Sequence, residues 1–170
     1  NRHFFLGYYF RDNYEQAMKA LPYIASGVTI NRIEVWVTNK RGNYDEARNV
    51  VALTDLGEYD AMHIQNSKWN ATAGARTPYN KANRLYETLV QDNPSVRDIQ
   101  QVSSVMQSIG MEMSEDYEKI ESARLLNSSE YTLNAALGYI SLRAALNQDE
   151  VLAVAYEYTY AGQVYQVGEF

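Results

Sequence analysis

The chain has 170 residues, of which 46% are apolar and 21% charged, and none is cysteine. This is the composition of an ordinary globular domain, and it excludes a disulfide framework, a cysteine zinc site and a thiol nucleophile. The net charge of −6 argues against a phosphate-tracking nucleic-acid binder and against a basic membrane-surface patch.

The N-terminal region predicts a strand followed by a helix. Residues 4–10 are aromatic and β-prone, which is typical of a buried strand or an extended segment. Asp12 and Glu15 have the spacing of a capping box, so a helix would begin there. Its inward stripe would be Tyr14, Ala17, Met18 and Leu21. Pro22 would end it.

The next segment predicts a pair of strands. Ile33, Val35 and Val37 recur at every second position, which is the period of a half-buried strand. Residues 49–54 supply another β-prone run after a polar turn at 39–43. We therefore expect these two strands to pair as antiparallel neighbours.

Residues 77–126 predict a helical block, most economically an insertion between strands. One helix would begin at Thr77-Pro78, with proline at its first position. A second would be capped by Ser95 and end at Gly110, and a third, capped by Ser114, would run to about Leu126. The inward apolar positions would be Ala82, Leu85, Tyr86, Leu89, Val90, Ile99, Val102, Met106, Ile109, Tyr117 and Ile120.

The C-terminal region returns to strands. Residues 137–142 predict one, and residues 151–160 and 163–170 predict a hairpin around Ala161-Gly162. Its two-residue loop would pair Tyr160 with Gln163, Tyr158 with Tyr165, Tyr156 with Val167 and Val154 with Glu169. One hairpin face would then be aromatic, carrying Tyr156, Tyr158, Tyr160 and Tyr165.

The predicted elements together indicate the α+β class. We expect residues 1–170 to form a single domain fragment, an antiparallel β-sheet or sandwich with residues 77–126 as a helical insertion. The longest uninterrupted apolar run, residues 151–156, is far shorter than the ~20 residues of a helical membrane span, so we expect the fragment itself not to span a membrane. The chain lacks an initiator methionine and stops within a predicted strand, so we expect an internal piece of a longer protein.

Ionisable residues offer few candidates for catalysis or metal binding. His3 and His63 lack a second histidine or a carboxylate at ligand spacing, so we expect ordinary histidines. Asp55, Glu58 and Asp60 lie where a strand ends, and they suit turn stabilisation better than a sugar hydrolase or a calcium site. The acidic residues Glu112, Glu115, Asp116 and Glu118 would favour the positive end of the third helix.

Aromatic residues leave two interpretations open. Fifteen tyrosines and two tryptophans suit a sheet surface that stacks sugar rings or contacts protein, and they equally suit a core. Two N-x-S/T triplets, at Asn70 and Asn127, match the glycosylation pattern, and we expect both matches to arise by chance.

Several ordered blocks resemble the SprA (Sov) family of cell-surface proteins. They cover about half of the chain and fall towards both ends, whereas residues 59–126 match little. The blocks are FRDNYE (10–15), RIEVWVTN (32–39), RNVVA (48–52), DLGE (55–58), YTLN (131–134), LGYISL (137–142), DEVLAVAYEY (149–158) and YQVGEF (165–170).

This resemblance implies the outer-membrane translocon of the type IX secretion system, a wide β-barrel that passes folded cargo and is needed for gliding motility. The chain would be a soluble structural domain of it, associated with the outer membrane in the cell envelope, on the periplasmic or extracellular side. Its partners would be other secretion-system proteins, secreted cargo and the rest of its own barrel, and not nucleic acid. The resemblance supplies no catalytic residue, metal or cofactor, so we expect no enzyme. The alternatives are a carbohydrate-binding β-sandwich module and, more distantly, a glycan hydrolase using Asp55, Glu58 or Asp60.

Overall fold

The structure, a computed structural model, describes residues 2–19, 27–42 and 45–170. Its strands are β1 (His3–Phe5), β2 (Val28–Val37), β3 (Arg48–Leu53), β4 (Tyr117–Leu125), β5 (Tyr131–Asn134), β6 (Tyr139–Leu142), β7 (Leu152–Tyr160) and β8 (Gln163–Val167). Its α-helices are α1 (Tyr8–Met18), α2 (Leu85–Glu87) and α3 (Val102–Ser108).

The strands form two antiparallel sheets. The larger has the order β3-β4-β2-β7-β8, and the smaller has the order β1-β6-β5. The predicted α+β class with antiparallel sheets is thereby confirmed. None of the helices in the described ranges has the length and apolarity that a membrane span requires.

The β7–β8 hairpin forms in the predicted register. Tyr160 pairs with Gln163, Tyr158 with Tyr165 and Tyr156 with Val167. Ala161 and Gly162 have φ of 51° and 78°, as a type I′ turn requires. The fourth expected pair, Val154 with Glu169, is absent because β8 ends at Val167 and Gly168, at φ 82°, redirects the chain.

The predicted third helix is wrong, because residues 117–125 form strand β4. Tyr117, Ile120 and Ala123 are buried at a spacing of three, which imitates a helical stripe. In the strand, Tyr117 packs against the helical turns, whereas Ile120 and Ala123 pack on the other face with Trp36. The register shift opposite β3, beside Ser122 at φ 52°, keeps Ala123 on the face of Ile120.

The expected pairing of β2 with β3 is also wrong. Strand β4 lies between them and pairs with both. The short polar turn predicted that β3 would lie beside β2. Strand β4, which is distant in sequence, lies there instead, because it supplies the apolar contacts described above.

The N-terminal strand is shorter than predicted, and its helix begins earlier. Helix α1 starts at Tyr8, after Gly7, and Asp12 lies inside it rather than capping it. Phe10 and Ala17 form its buried face, since the ring of Phe10 contacts Tyr156 and Tyr158 edge-on. The expected stop at Leu21 and Pro22 lies outside the described residues.

Short helical turns occupy the first part of the predicted helical block. They are a 3₁₀ turn at Asn80–Ala82, α2 continuing as a π-helical turn at Thr88–Asp92, a 3₁₀ turn at Pro94–Arg97, and α3. We call this segment, residues 80–108, the helical turns. Its inward side is buried as predicted at Ala82, Leu85, Leu89, Val102 and Met106. Both α-helices are shorter than their stripes suggested, and they lie in sequence between β3 and β4.

Three apolar clusters hold the layers together. The first lies between the two sheets and α1, around Tyr156 and Tyr158. The second joins the helical turns to β3 and β4, and the third surrounds Trp36. Strand β4 pairs with β2 at Trp36–Leu125 and Val37–Arg124, and the N–H of Leu126 donates to the carbonyl of Val35, so the two strands overlap only near their C-terminal ends.

Candidate functional site

A groove of about 780 Å³ opens beside strands β3 and β7 of the larger sheet. It lies among β1, the start of α1, β3, the first half of β7 and the helical turns. Its volume is within the range of protein ligand sites, several hundred to a thousand cubic ångströms. We call it the edge groove, for the strand edges that border it.

Three strand edges contribute to the edge groove. Strands β1 and β3 are terminal strands of their sheets, each paired on one side only. Strand β7 is paired with β2 from Leu152 onward, but with β8 only from Tyr156 onward. Gly168 lies against Ala155 on the second edge of β7, and among the described residues no strand pairs with that edge over residues 152–154.

The lining pattern shows that β3 and β7 face the edge groove edge-on. Every residue of 48–54 and of 152–156 lines it. Side chains of a strand alternate between two faces, so consecutive residues line one cavity when the cavity wraps around the strand edge. An edge and both faces of each strand therefore border the edge groove.

The wall of the edge groove is mainly apolar. Aliphatic and aromatic side chains come from all its surrounding elements: Phe4, Leu6, Trp36, Val50, Leu53, Leu56, Leu89, Val96, Ile99, Val102, Met106, Leu152, Val154 and Val167. Such a surface favours apolar groups of a bound molecule.

Glu58 is the buried acid of the edge groove. Its carboxylate accepts hydrogen bonds from the backbone N–H groups of Tyr59 (3.0 Å) and Asp60 (3.1 Å). Burial raises its pKa, although those two hydrogen bonds act in the opposite direction.

A second polar cluster combines Arg97, Glu169 and Tyr86. Arg97 donates two hydrogen bonds to the Glu169 carboxylate, at 2.7 and 2.8 Å, and the Tyr86 hydroxyl donates a third at 2.7 Å. The hydrogen bonds from Arg97 are the main reason that the pKa of Glu169 is lowered to about 2. Arg48 also lines the edge groove, and it donates to the carbonyl of Phe170 at 3.3 Å.

The acidic candidates Asp55, Glu58 and Asp60 stabilise turns. Asp55, 2% exposed, accepts from the backbone N–H groups of Gln65 (2.7 Å) and Asn66 (2.9 Å), and Asp60 accepts from Met62. Of the three, Glu58 alone lines the edge groove.

Asn83, which sequence reasoning did not single out, fastens this loop to α2. Its side-chain nitrogen donates to the carbonyls of Asp55 (2.7 Å) and Glu58 (3.0 Å), and its side-chain oxygen accepts from the N–H of Leu85.

The two histidines occupy different surroundings. His63 lies 2.8 Å from an Asp12 carboxylate oxygen and stacks on Tyr8, with ring centroids 4.3 Å apart. His3 contacts the hydroxyl of Ser141 at 2.7 Å. Within the described ranges, no group of three or more histidine, aspartate or glutamate side chains is arranged to hold a metal ion.

The aromatic face of the hairpin is part of the core. Tyr156 and Tyr158 are buried and lie in the first apolar cluster, with Tyr160 and Tyr165 packed against it. The hydroxyl of Tyr158 donates to the carbonyl of Pro78. These rings are not an exposed platform for sugars, so the structure answers the open question in favour of the core.

The acidic residues Glu112, Glu115, Asp116 and Glu118 lie before and at the start of strand β4, not at a helix start, so the expected helix-dipole role is wrong. Asp116 is buried and accepts from the N–H of Glu112 at 2.8 Å. A hydrogen bond with Glu112 raises the pKa of the neighbouring Glu115. The two N-x-S/T asparagines, Asn70 and Asn127, are exposed.

Sequence reasoning missed the edge groove itself. Arg48, Arg97 and Glu169 are far apart in sequence, and no local pattern connects them. No protein-family model matches the chain, and no curated protein matches it either.

Proposed function

We propose that the chain is a non-catalytic domain of a SprA-family outer-membrane translocon, acting in type IX secretion and gliding motility through contacts with partner proteins. Those partners are other secretion-system proteins, secreted cargo or the rest of the barrel. The domain is associated with the outer membrane at the cell envelope.

The observation that carries this proposal is where the family-like blocks fall. Blocks 32–39, 48–52, 131–134, 137–142, 149–158 and 165–170 each overlap a strand, namely β2, β3, β5, β6, β7 and β8. The blocks at 48–52 and 149–158 contain the free edges of β3 and β7. The resembling residues thus supply six of the eight strands in the described residues, and block 10–15 lies in α1, whereas the unmatched residues 59–126 supply the helical turns and β4.

The edge groove supports a role in binding rather than bond-making. Its wall is mainly apolar, and its carboxylates are held by backbone N–H groups at Glu58 and by Arg97 at Glu169. A partner that covered this wall would gain the free energy of apolar burial.

The test uses the full-length parent in its own bacterium. One strain lacks the segment coding for residues 2–170, and a second carries Ala52→Lys, which places a charge on the β3 wall of the edge groove. Thr132→Lys, on the exposed side of the terminal strand β5, is the matched control.

We expect the parent to be present in purified outer membranes of all strains. Secretion and gliding should be lost in the deletion and reduced by Ala52→Lys, but kept by Thr132→Lys. Normal secretion by a stable parent that lacks the segment would contradict the proposal, as would a parent that fractionates outside the envelope.

A further inference from the structure

We propose that the edge groove binds a small apolar amine, whose ammonium group pairs with Glu58 while its hydrocarbon body lies on the apolar wall. This inference goes beyond the proposed function and does not depend on it.

Of the two acids that line the edge groove, Glu58 is the one without a cationic partner. Glu169 is paired with Arg97 at 2.7 Å. In the part of the chain that the structure describes, no lysine, arginine or histidine forms a salt bridge with Glu58. A buried carboxylate without a partner is costly, so a bound cation would remove a penalty that the fold carries.

His63 is near Glu58 but is engaged elsewhere. Its Nε2 atom lies 2.8 Å from a carboxylate oxygen of Asp12 and 3.9 Å from one of Asp60. Burial raises the pKa of Glu58, and the effect of His63 in the opposite direction is too small to offset it. The position of a counter-ion for Glu58 is therefore open.

The basic residues of the lining lie at the mouth of the edge groove, not in its interior. The side chains of Arg11, Arg48 and Arg97 are 52%, 50% and 56% exposed, and His3 is exposed as well. Each arginine is also paired with a carboxylate, the pairs being Arg11–Asp12, Arg48–Glu34 and Arg97–Glu169. Glu58, by contrast, is 8% exposed. Water screens charges at the mouth far more than a buried one, so the unbalanced charge inside is negative and favours a cation.

Two buried oxygen atoms of the lining have no hydrogen-bond donor within the described chain. Glu58 receives both of its backbone N–H groups on Oε2, which leaves Oε1 free. The hydroxyl of Tyr156, a residue only 1% exposed, also forms no hydrogen bond. Among the described residues, the indole nitrogen of Trp69 alone is both fully enclosed and without a partner, so neither of these oxygens is sealed off. Both residues line the edge groove, and a bound molecule can reach them there.

The two oxygens lie at the same end of the edge groove. Burial raises the pKa of Tyr156, and the negative charge of Glu58 contributes to the same shift, which requires the two groups to be close. An ammonium group has three N–H donors, so it can bond to a carboxylate and to a hydroxyl at once. A hydrogen bond between an ammonium and a carboxylate is roughly twice as strong as a neutral one, which favours an amine over an alcohol.

The rest of the lining suits the hydrocarbon body of the amine. Leu56 adjoins Glu58 in sequence, and Leu6, Val154 and Val167 line the same space. Removing hydrocarbon from water on this wall supplies affinity, while Glu58 selects the polar group.

The probes are n-hexylamine, 1-hexanol and hexanoate, which share one hydrocarbon body and differ in their polar group. At pH 7 the first is positively charged, the second neutral and the third negatively charged. Titration into the ¹⁵N-labelled 170-residue chain, followed by NMR, measures the affinity and locates the contact. Comparing the three probes on the unsubstituted chain separates recognition of charge from apolar filling without any variant.

We expect n-hexylamine to bind saturably and at least about tenfold more tightly than 1-hexanol, and hexanoate to bind more weakly than either. The largest chemical-shift changes should fall on the amides of Tyr59 and Asp60, which donate to Glu58, and on residues 152–156 of the lining.

Glu58→Gln and Asp60→Asn form a matched pair, because each removes one negative charge from the same loop, and of the two residues only Glu58 lines the edge groove. Glu58→Gln should weaken binding of n-hexylamine about tenfold, to the level of 1-hexanol, whereas Asp60→Asn should leave it unchanged. Tyr156→Phe, which removes the second acceptor, should weaken it about threefold. Urea unfolding checks that the variants are folded.

Equal affinities of n-hexylamine and 1-hexanol for the unsubstituted chain would overturn the inference, whether or not the variants fold. Equal losses in Glu58→Gln and Asp60→Asn would do the same, as would shift changes confined to residues outside the edge groove. None of these results bears on the proposed function, because the secretion and gliding assays use no amine. Normal secretion after deletion of the segment, with amine binding intact, contradicts the proposed function instead.

Discussion

Buried polar side chains in the loop after β3 are held by backbone donors. Asp55 receives two N–H groups, and Asn83 ties the carbonyls of Asp55 and Glu58 to the start of α2. A buried donor left without an acceptor costs about 1–3 kcal/mol, so this loop depends on its side-chain acceptors.

Asp55→Ala should therefore be strongly destabilising. The substitution leaves the N–H groups of Gln65 and Asn66 without their acceptor, and we expect the free energy of unfolding to fall by about 2–4 kcal/mol. Urea unfolding at pH 7 measures this. Asp60→Ala is the matched control, because Asp60 is only half-buried and accepts from one N–H, and its cost should be below about 1 kcal/mol. Equal costs for the two variants would contradict this account.

Glu58 gives a prediction about pH. Burial raises the pKa of its carboxyl in the folded chain above the unfolded value, so its ionisation reduces stability as the pH rises through that range. Glu58→Gln keeps an oxygen acceptor for Tyr59 and Asp60 and removes the ionisation. We expect the variant to be more stable than the unsubstituted chain at pH 7.

The gain from Glu58→Gln should disappear below pH about 4, where the carboxyl is protonated in both the folded and the unfolded chain. Urea unfolding of both proteins between pH 3.5 and pH 7 measures the difference in the free energy of unfolding. A variant that is less stable at pH 7 and equally so at pH 3.5 would show that the carboxylate is not penalised by burial.

At the scale of elements, local sequence patterns predict an element and its register correctly where the contacts that determine it are local. The turn at Ala161-Gly162 determines the register of β7 and β8, and the sequence predicted three of its pairs correctly. Strand β4 could not be predicted in this way. Its buried residues, three apart, face different layers of the molecule, and only long-range packing distinguishes them from a helical stripe.

Substitutions in the turn between β7 and β8 test whether the turn determines the register of the hairpin. Ala161 holds a positive φ, which costs an alanine more than an asparagine. We expect Ala161→Asn to raise the free energy of unfolding by about 0.5–1 kcal/mol and Gly162→Ala to lower it by about 1 kcal/mol, both measured by thermal and urea unfolding. A destabilising Ala161→Asn would contradict the type I′ geometry.

At the scale of the whole molecule, the edge groove results from strand order. Strand β3 is the terminal strand of its sheet, β8 stops short of the start of β7, and residues of both β3 and β7 line one groove. Neither feature is visible in any one stretch of sequence, because each depends on which distant strands pair. The sequence could therefore predict the α+β class and most strands, but not the candidate site.

Amide hydrogen exchange of the unbound chain, resolved to single residues, tests the free edges most directly. Residues 157–159 of β7 are paired on both sides, so all their amides should exchange slowly. In residues 152–154, amides directed towards β2 should be equally slow, while those directed away from β2 should exchange markedly faster, as should the outward amides of β3. Uniform protection along the whole of β7 would mean that the outer edge of residues 152–154 is already covered, and it would contradict an edge groove that is open to a partner.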